Sequence, residues 1–202
     1  MRLVTLLFIL ILTSNAHALT YHCDDSCSEQ TRGFVVYAFA AWNAALDNTL
    51  TITESSDKPD LTISMSDAIA PDLGLTGNGR VLLAVSNAAV VMHEIGHALG
   101  LPHSADPDAI MFGYPADIFA FLNQSDVDAV RALYGLSPKT LAMNCRVRRH
   151  SVTVLTGNRF ATCYWGDGTN SSGWHVSRRL PSGVYQIKLY CGYFLFRQSV
   201  SF

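Results

Sequence analysis

Two histidines four residues apart, His93 and His97, constrain this chain more than any other feature of its sequence. They lie in the apolar stretch VVMHEIGHALGLPHS, which begins at Val90. Side chains at positions i and i+4 of an α-helix project from the same face, so both imidazoles can reach one ion. Gly100 can adopt the left-handed conformation that ends a helix. The stretch therefore predicts a helix that ends near Gly100 and a turn that brings His103 to the same ion.

Three neutral imidazoles with an open fourth position are typical of catalytic zinc, because structural zinc sites are usually closed by four protein ligands. Glu94 follows the first ligand and can take a proton from zinc-bound water and pass it to a leaving amine. The alternative is that these side chains are ordinary solvated residues on a helix surface. Since the glycine and the third histidine also stand at the required offsets, we favour the zinc site.

The motif HEIGHALGLPHS resembles the metzincin pattern HExxHxxGxxH, and Ser104 after the third histidine is similar to the matrixin branch of that family. The next residues, SADPDAIMFGYP, resemble the matrixin segment that leads into the Met-turn, and residues 122–135 are similar to the third helix. The resemblance covers residues 19–137. It implies an α+β fold, a mixed twisted sheet with three helices, and a secreted zinc endopeptidase that cuts extracellular proteins.

The resemblance also implies roles for residues around the metal. Met111 would form the apolar floor beneath the ion, and Asp126 would support the Met-turn from below. Tyr114 and Pro115 would shape the pocket for the residue that follows the cut bond. Phe119 or Phe121 would line that pocket or serve as ordinary core aromatics.

For the substrate, the resemblance implies an extended peptide lying antiparallel along an edge strand. By position, that edge would be Val81 to Val85. Its backbone would pair with the substrate at Leu82, Leu83 and Ala84.

Three features depart from the matrixin pattern. No room for a pro-domain is expected between Ala18 and the first strand, and no histidine lies between His22 and His93, so a second zinc ion is not expected. The calcium loops are shortened, although four aspartates could still hold Ca²⁺: Asp57, Asp60, Asp67 and Asp72. The predicted cofactor is one zinc ion.

The first 18 residues have the pattern of a secretory signal peptide, with Arg2, the apolar run Leu3 to Leu12, and a cleavage site after Ala18. A membrane anchor is the alternative, but a span needs about 20 apolar residues. We therefore expect an exported, monomeric protein. Export favours disulfides. One pattern pairs Cys23 with Cys27 and joins two of the remaining cysteines, Cys145, Cys163 and Cys191. Spacing alone leaves the connectivity open.

Charge divides the chain near GLSPKT, which begins at Gly135. Residues 19–138 hold fifteen acidic and four basic residues, whereas residues 139–202 hold nine basic residues and one acidic residue. We predict a signal peptide (1–18), a peptidase domain (19–137) and a small basic all-β domain (138–202) of five or six strands. The basic residues favour either a solvated strand face or binding to a polyanion, which would be a glycan or a cell surface rather than nucleic acid. A zinc-containing adhesin that acts through this domain is the alternative function.

Periodicity predicts the secondary structure of the first domain. Helices are predicted from Glu29 to Leu46 with Ser26 as the cap, from Ser86 or Asn87 through His97, and from Ser125 to Tyr134. Strands are predicted at residues 19–23, 49–53, 60–66 and 81–85.

Overall fold

The computed structural model describes residues 17–113, 120–141, 145–148, 151–155, 162–165, 170–172, 175–179 and 184–201. Five strands lie in the first half of the chain: β1 (His17–Cys23), β2 (Leu50–Glu54), β3 (Leu61–Met65), β4 (Gly74–Gly77) and β5 (Arg80–Leu83). The helices are α1 (Glu29–Ala45), α2 (Ala88–Ala98) and α3 (Gln124–Leu133), with a short 3-10 helix at Asp67–Ile69.

The five strands form one mixed sheet in the order β2-β1-β3-β5-β4. β1 pairs in parallel with both β2 and β3, and β3 pairs in parallel with β5, whereas β4 and β5 are antiparallel. Parallel neighbours need a crossover connection, and α1 supplies the one between β1 and β2. The mixed sheet with its three helices confirms the α+β prediction for this part of the chain.

β4, not β5, is the outer strand of this sheet. A two-residue turn, Asn78-Gly79, with φ of 52° and 70°, folds β4 back onto β5. These angles fit the type I′ turn that Asn-Gly favours in hairpins. β5 therefore lies between β3 and β4, and the prediction that Val81 to Val85 forms the edge is wrong. The apolar run at residues 81–85 gives the stronger strand signal, but the hairpin covers it with a short, glycine-bounded strand.

The helix boundaries agree with the predictions to within one or two residues, but two of the caps differ. Ser28 caps α1 by accepting a hydrogen bond from the Thr31 N–H. The predicted cap, Ser26, instead donates to Asp24 and accepts from the Met65 N–H, so it joins the disulfide loop to β3. Tertiary contacts thus bind the side chain of Ser26, which the local sequence pattern predicted as the helix cap.

At α2, Asn87 accepts hydrogen bonds from the Ala89 and Val90 N–H groups. At α3, the cap is Asn123 rather than a residue of the predicted start at Ser125.

The core lies between the sheet and the helices. Trp42 of α1 is fully buried, and its indole N–H donates to the Met92 carbonyl of α2 at 2.9 Å. This hydrogen bond satisfies the polar atom of a large buried side chain and fixes α1 against the helix that carries the paired histidines. The same packing brings β4 and β5 against α2.

Seven strands follow in the described residues, against the predicted five or six. They are β6 (Cys145–Arg148), β7 (Ser151–Leu155), β8 (Thr162–Trp165), β9 (Asn170–Ser172), β10 (His175–Arg179), β11 (Val184–Cys191) and β12 (Phe194–Ser201). Two sheets contain them, in the orders β10-β7-β6 and β12-β11-β8-β9. In the first sheet, Arg148 and Arg179 both pair with Ser151, and Arg146 pairs with Thr153. Residues directly opposite each other share a face, so the register gathers these three arginines on one face.

The turn between β11 and β12 contacts α1 and the segment just before α3. The Leu122 N–H donates to the Tyr193 carbonyl and the Leu195 N–H donates to the Leu122 carbonyl, both at 2.8 Å. The Tyr37 hydroxyl of α1 donates to the Ala120 carbonyl at 3.0 Å. Burial raises the pKa of Tyr37 to about 12, so its hydroxyl keeps the proton that it donates.

Cys23 and Cys27 form a disulfide, as the sequence suggested. The predicted signal peptide lies almost entirely in residues 1–16, outside the described residues, while His17 and Ala18 belong to β1. Within the described ranges, no helix combines the length and apolar character needed to cross a membrane.

Candidate metal centre

Helix α2 and the loop after it bring the three predicted histidines together. His93 and His97 lie on one face of α2, and Gly100, with φ of 98°, turns the chain so that His103 returns to them. One possible ligand atom from each ring lies within 4.8 Å of the other two. Among the described residues, this is the group of His, Cys, Asp or Glu side chains that could hold a metal ion.

Hydrogen bonds at the far side of two rings fix how they face the centre. His93 Nδ1 lies 2.7 Å from the Ile110 carbonyl oxygen, and His97 Nδ1 lies 2.8 Å from the Leu101 carbonyl oxygen. A carbonyl can only accept, so each Nδ1 carries the proton and each Nε2 keeps a free lone pair. The two Nε2 atoms lie 3.0 Å apart.

Burial lowers the pKa of His93 to about 4, which keeps that imidazole neutral near pH 7. Neutral imidazole is the form that binds metal. Three imidazole donors, two of them on rings whose Nδ1 is oriented by a backbone carbonyl, fit a zinc ion. A set of three protein ligands is the kind that leaves the fourth position of a tetrahedral zinc site to a non-protein ligand.

Below this centre, Met111 is buried beneath α2. A Cβ atom added at Gly96 would overlap the Met111 sulfur, so the helix can approach the Met-turn only because residue 96 has no side chain. Asp126 accepts hydrogen bonds from the N–H groups of Ile110, Met111 and Asn123 at 2.9 to 3.1 Å. Asp126 therefore joins the Met-turn to the start of α3. Burial raises the pKa of Asp126 to about 6, and the three N–H donors act in the opposite direction.

Glu94 is 5% exposed and lies beside β4. The Thr76 hydroxyl donates to Glu94 Oε2 at 2.6 Å and lies 3.1 Å from the Glu94 carbonyl oxygen. A Cβ added at Gly74 would overlap the Glu94 carboxylate. Burial raises the pKa of Glu94, and the hydrogen bond from Thr76 lowers it. Sequence reasoning missed Thr76 and Gly74, because their importance depends on β4 crossing α2.

The predicted substrate-binding residues of β5 and its end are paired with β4 and the residue before it. Leu82 pairs with Leu75 and Leu83 with Gly74, and the Ala84 N–H donates to the Leu73 carbonyl. Since β4 already pairs with this strand, Leu82, Leu83 and Ala84 do not offer the free edge that was predicted.

Two further parts of the prediction concern the pocket wall and calcium. Tyr114, Pro115 and Phe119 lie outside the described residues. The four aspartates suggested for calcium do not come together as a metal-binding group within the described ranges; one of them, Asp60, accepts hydrogen bonds from Thr20 instead.

Comparison with known proteins agrees with this geometry. The matrixin family model matches residues 81–135, which include most of β5, all three histidines and α3. This segment of the chain is matrixin-like. The matched segment contains α2, the loop that carries His103 and Met111, and α3 without interruption.

Three relatives illustrate the extent of the similarity. A probable matrix metalloproteinase of Invertebrate iridescent virus 3 is 53% identical over 49 residues, which is 24% of this chain and 14% of that protein. Interstitial collagenase B of Mus musculus is 46% identical over 87 residues, covering 38% and 19%. Matrix metalloproteinase-15 of Homo sapiens is 35% identical over 118 residues, covering 57% and 15%. The matrixin-like chain thus spans less than a fifth of the length of each of these relatives.

Proposed function

We propose that this matrixin-like chain is a zinc-dependent endopeptidase. The observation that carries the proposal is the convergence of His93, His97 and His103 directly beside the buried carboxylate of Glu94. The names of the relatives, collagenase and matrix metalloproteinase, support the same class of reaction.

In this proposal, the three histidines would hold zinc and Glu94 would act as the general base. Zinc, when bound, supplies a Lewis acid that polarises the scissile carbonyl and lowers the pKa of water. Glu94 accepts a proton from the attacking water and later donates it to the leaving amine nitrogen. The Thr76 hydroxyl holds the Glu94 carboxylate in place, and Met111 and Asp126 support the ligands from below.

We further propose that the substrate binds as an extended strand along the outer edge of β4, which replaces the predicted edge at Leu82, Leu83 and Ala84. An added strand gains main-chain hydrogen bonds, and alternate side chains give specificity. Leu73 and Leu75 are 51% and 52% exposed on this rim, so it offers apolar contacts to the substrate. Tyr114 and Pro115 remain proposed residues of the pocket wall.

The predicted signal peptide supports secretion. We also propose that the protein acts as a monomer on extracellular proteins. The proposed division at residue 137 separates the peptidase from the basic strands that follow it. The Cys23–Cys27 disulfide is consistent with an oxidising compartment.

A cleavage assay on the purified chain tests the proposal, with a mixed peptide library as substrate and mass spectrometry as the readout. Glu94→Gln should keep stoichiometric zinc but lose about 10²- to 10⁴-fold in kcat/KM, because it removes the base and preserves the shape. Glu54→Gln, on β2 at the opposite edge of the sheet, is the matched control and should cleave normally. Wild-type cleavage by zinc-loaded Glu94→Gln would refute the mechanism.

A second candidate function is adhesion to a polyanion, such as a sulfated glycan or a cell surface. It is supported by the net excess of eight basic charges in residues 139–202 and by the shared face of Arg146, Arg148 and Arg179. Retention on immobilised heparin that weakens steeply with salt, and that Glu94→Gln leaves unchanged, would favour this function.

A further inference from the structure

Cys163 and Cys191 occupy directly opposite positions on neighbouring strands. β8 and β11 are antiparallel, with Trp165 paired to Leu189 and Cys163 paired to Cys191. Directly opposite residues of an antiparallel pair share a face and are the closest cross-strand neighbours. The sequence suggested that two of the three C-terminal cysteines belong together, and the register selects these two.

The turn beyond Cys191 determines what kind of pair this is. Cys191 pairs with Phe194 across a two-residue turn in which Gly192 has φ of 61°. The residues that flank such a turn exchange both backbone hydrogen bonds, so Cys191 directs its N–H and C=O toward β12. On its other side, toward β8, Cys191 therefore forms a non-hydrogen-bonded pair with Cys163. The Cα atoms of such pairs lie about 4.5 Å apart, a separation that a disulfide can span.

We propose that Cys163 and Cys191 form a cross-strand disulfide and that Cys145 is the free thiol of the chain. Cys145 lies on β6, where it pairs with Val154 in a different sheet, and Cys23 is already bonded to Cys27. The bond forms by thiol–disulfide exchange with a low-molecular-weight disulfide such as oxidised glutathione. The two cysteines lose two protons and two electrons, and the reagent leaves as two thiols.

This disulfide would act where the turn between β11 and β12 contacts Tyr37 of α1 and Leu122. Cys191 directly precedes Gly192 and Tyr193, whose carbonyls lie 3.4 Å from the Tyr37 hydroxyl and 2.8 Å from the Leu122 nitrogen. The cross-link thus ties β8 to the base of the hairpin whose turn makes that contact. Oxidation is expected to strengthen the docking of the hairpin, and reduction to weaken it.

The test uses the full chain, purified from an oxidising export compartment or refolded in a glutathione redox buffer. The protein is denatured without reductant, alkylated with N-ethylmaleimide and analysed by intact mass and non-reducing peptide mapping. We expect one adduct, on Cys145, and a peptide pair joined through Cys163 and Cys191 that separates on reduction. Cross-linked peptides that contain Cys145, or adducts on all three C-terminal cysteines, would overturn the proposal.

Serine variants provide the matched comparison. Cys163→Ser and Cys191→Ser should each show two adducts. Each should lower the midpoint of thermal unfolding by the same amount, and the midpoint of the double variant should be no lower than that of either single variant. Cys145→Ser should show no adduct and an unchanged midpoint. Equal midpoints for all variants and the wild type would refute the stabilising role, and the wild-type peptide map decides the pairing even if a variant does not fold.

Discussion

Replacing Thr76 by valine tests whether the edge strand positions the carboxylate of Glu94, the proposed general base. Valine keeps the shape of threonine but removes the hydroxyl that donates to Glu94 Oε2 at 2.6 Å. A hydrogen bond to a charged group contributes about 1.5–3 kcal/mol. If that energy holds the carboxylate in its reactive orientation, kcat/KM should fall roughly 10- to 100-fold.

The pH profile separates this role from general damage to the fold. The hydroxyl lowers the pKa of Glu94, so its removal should raise that pKa. A base with a raised pKa is deprotonated only at higher pH, and the acidic limb of the kcat/KM profile should move upward. The profile is measured with a quenched fluorescent peptide on variants of equal zinc content.

Two variants complete the design. Thr76→Ser restores the hydroxyl and should recover most of the activity, whereas Thr53→Val, on the exposed part of β2, should behave as the wild type. The positioning role is refuted if Thr76→Val keeps both the wild-type rate and the wild-type acidic limb.

Three further predictions concern stability and the metal. Gly96→Ala should lower the free energy of unfolding by about 1–3 kcal/mol, because the added methyl group would overlap Met111. The control, Gly33→Ala in α1, has open space around it and should be neutral or stabilising. Equal denaturant midpoints for the two variants would contradict this prediction. Chelation of zinc should abolish cleavage and lower the melting temperature, and added zinc should restore both; full activity in the chelator would exclude a metallopeptidase. Hydrogen bonds from Lys139 and Arg131 lower the pKa of Asp47, so the stability that these bonds contribute is present above the unfolded-state pKa of Asp47 and is lost as pH falls below it. Asp47→Asn should remove this acid-sensitive contribution, which is under about 1 kcal/mol because the site is half exposed. An acid denaturation curve that is the same for Asp47→Asn and the wild type would refute this prediction.

The helix caps show where local and tertiary information diverge. Ser26 and Ser28 both precede α1, and the serine–glutamate spacing favours Ser26 as the cap. The structure instead uses Ser28, because Ser26 is held by Asp24 and by the Met65 N–H of β3. No local pattern could reveal that competition, since β3 lies nearly forty residues further along the chain.

The candidate metal centre is the part of the protein that the sequence determines almost alone. The spacing of His93 and His97, Glu94 between them, and Gly100 before His103 are local features, and helix geometry with one left-handed glycine converts them into a convergent site. Tertiary structure decides what surrounds that site. A short strand with a weak signal covers β5 and becomes the edge, and only its crossing of α2 brings Thr76 to Glu94. Strand register likewise selects Cys191 as the neighbour of Cys163. Short-range helix geometry is encoded by spacing within a few residues, whereas strand order and register depend on contacts between distant segments, which spacing does not specify.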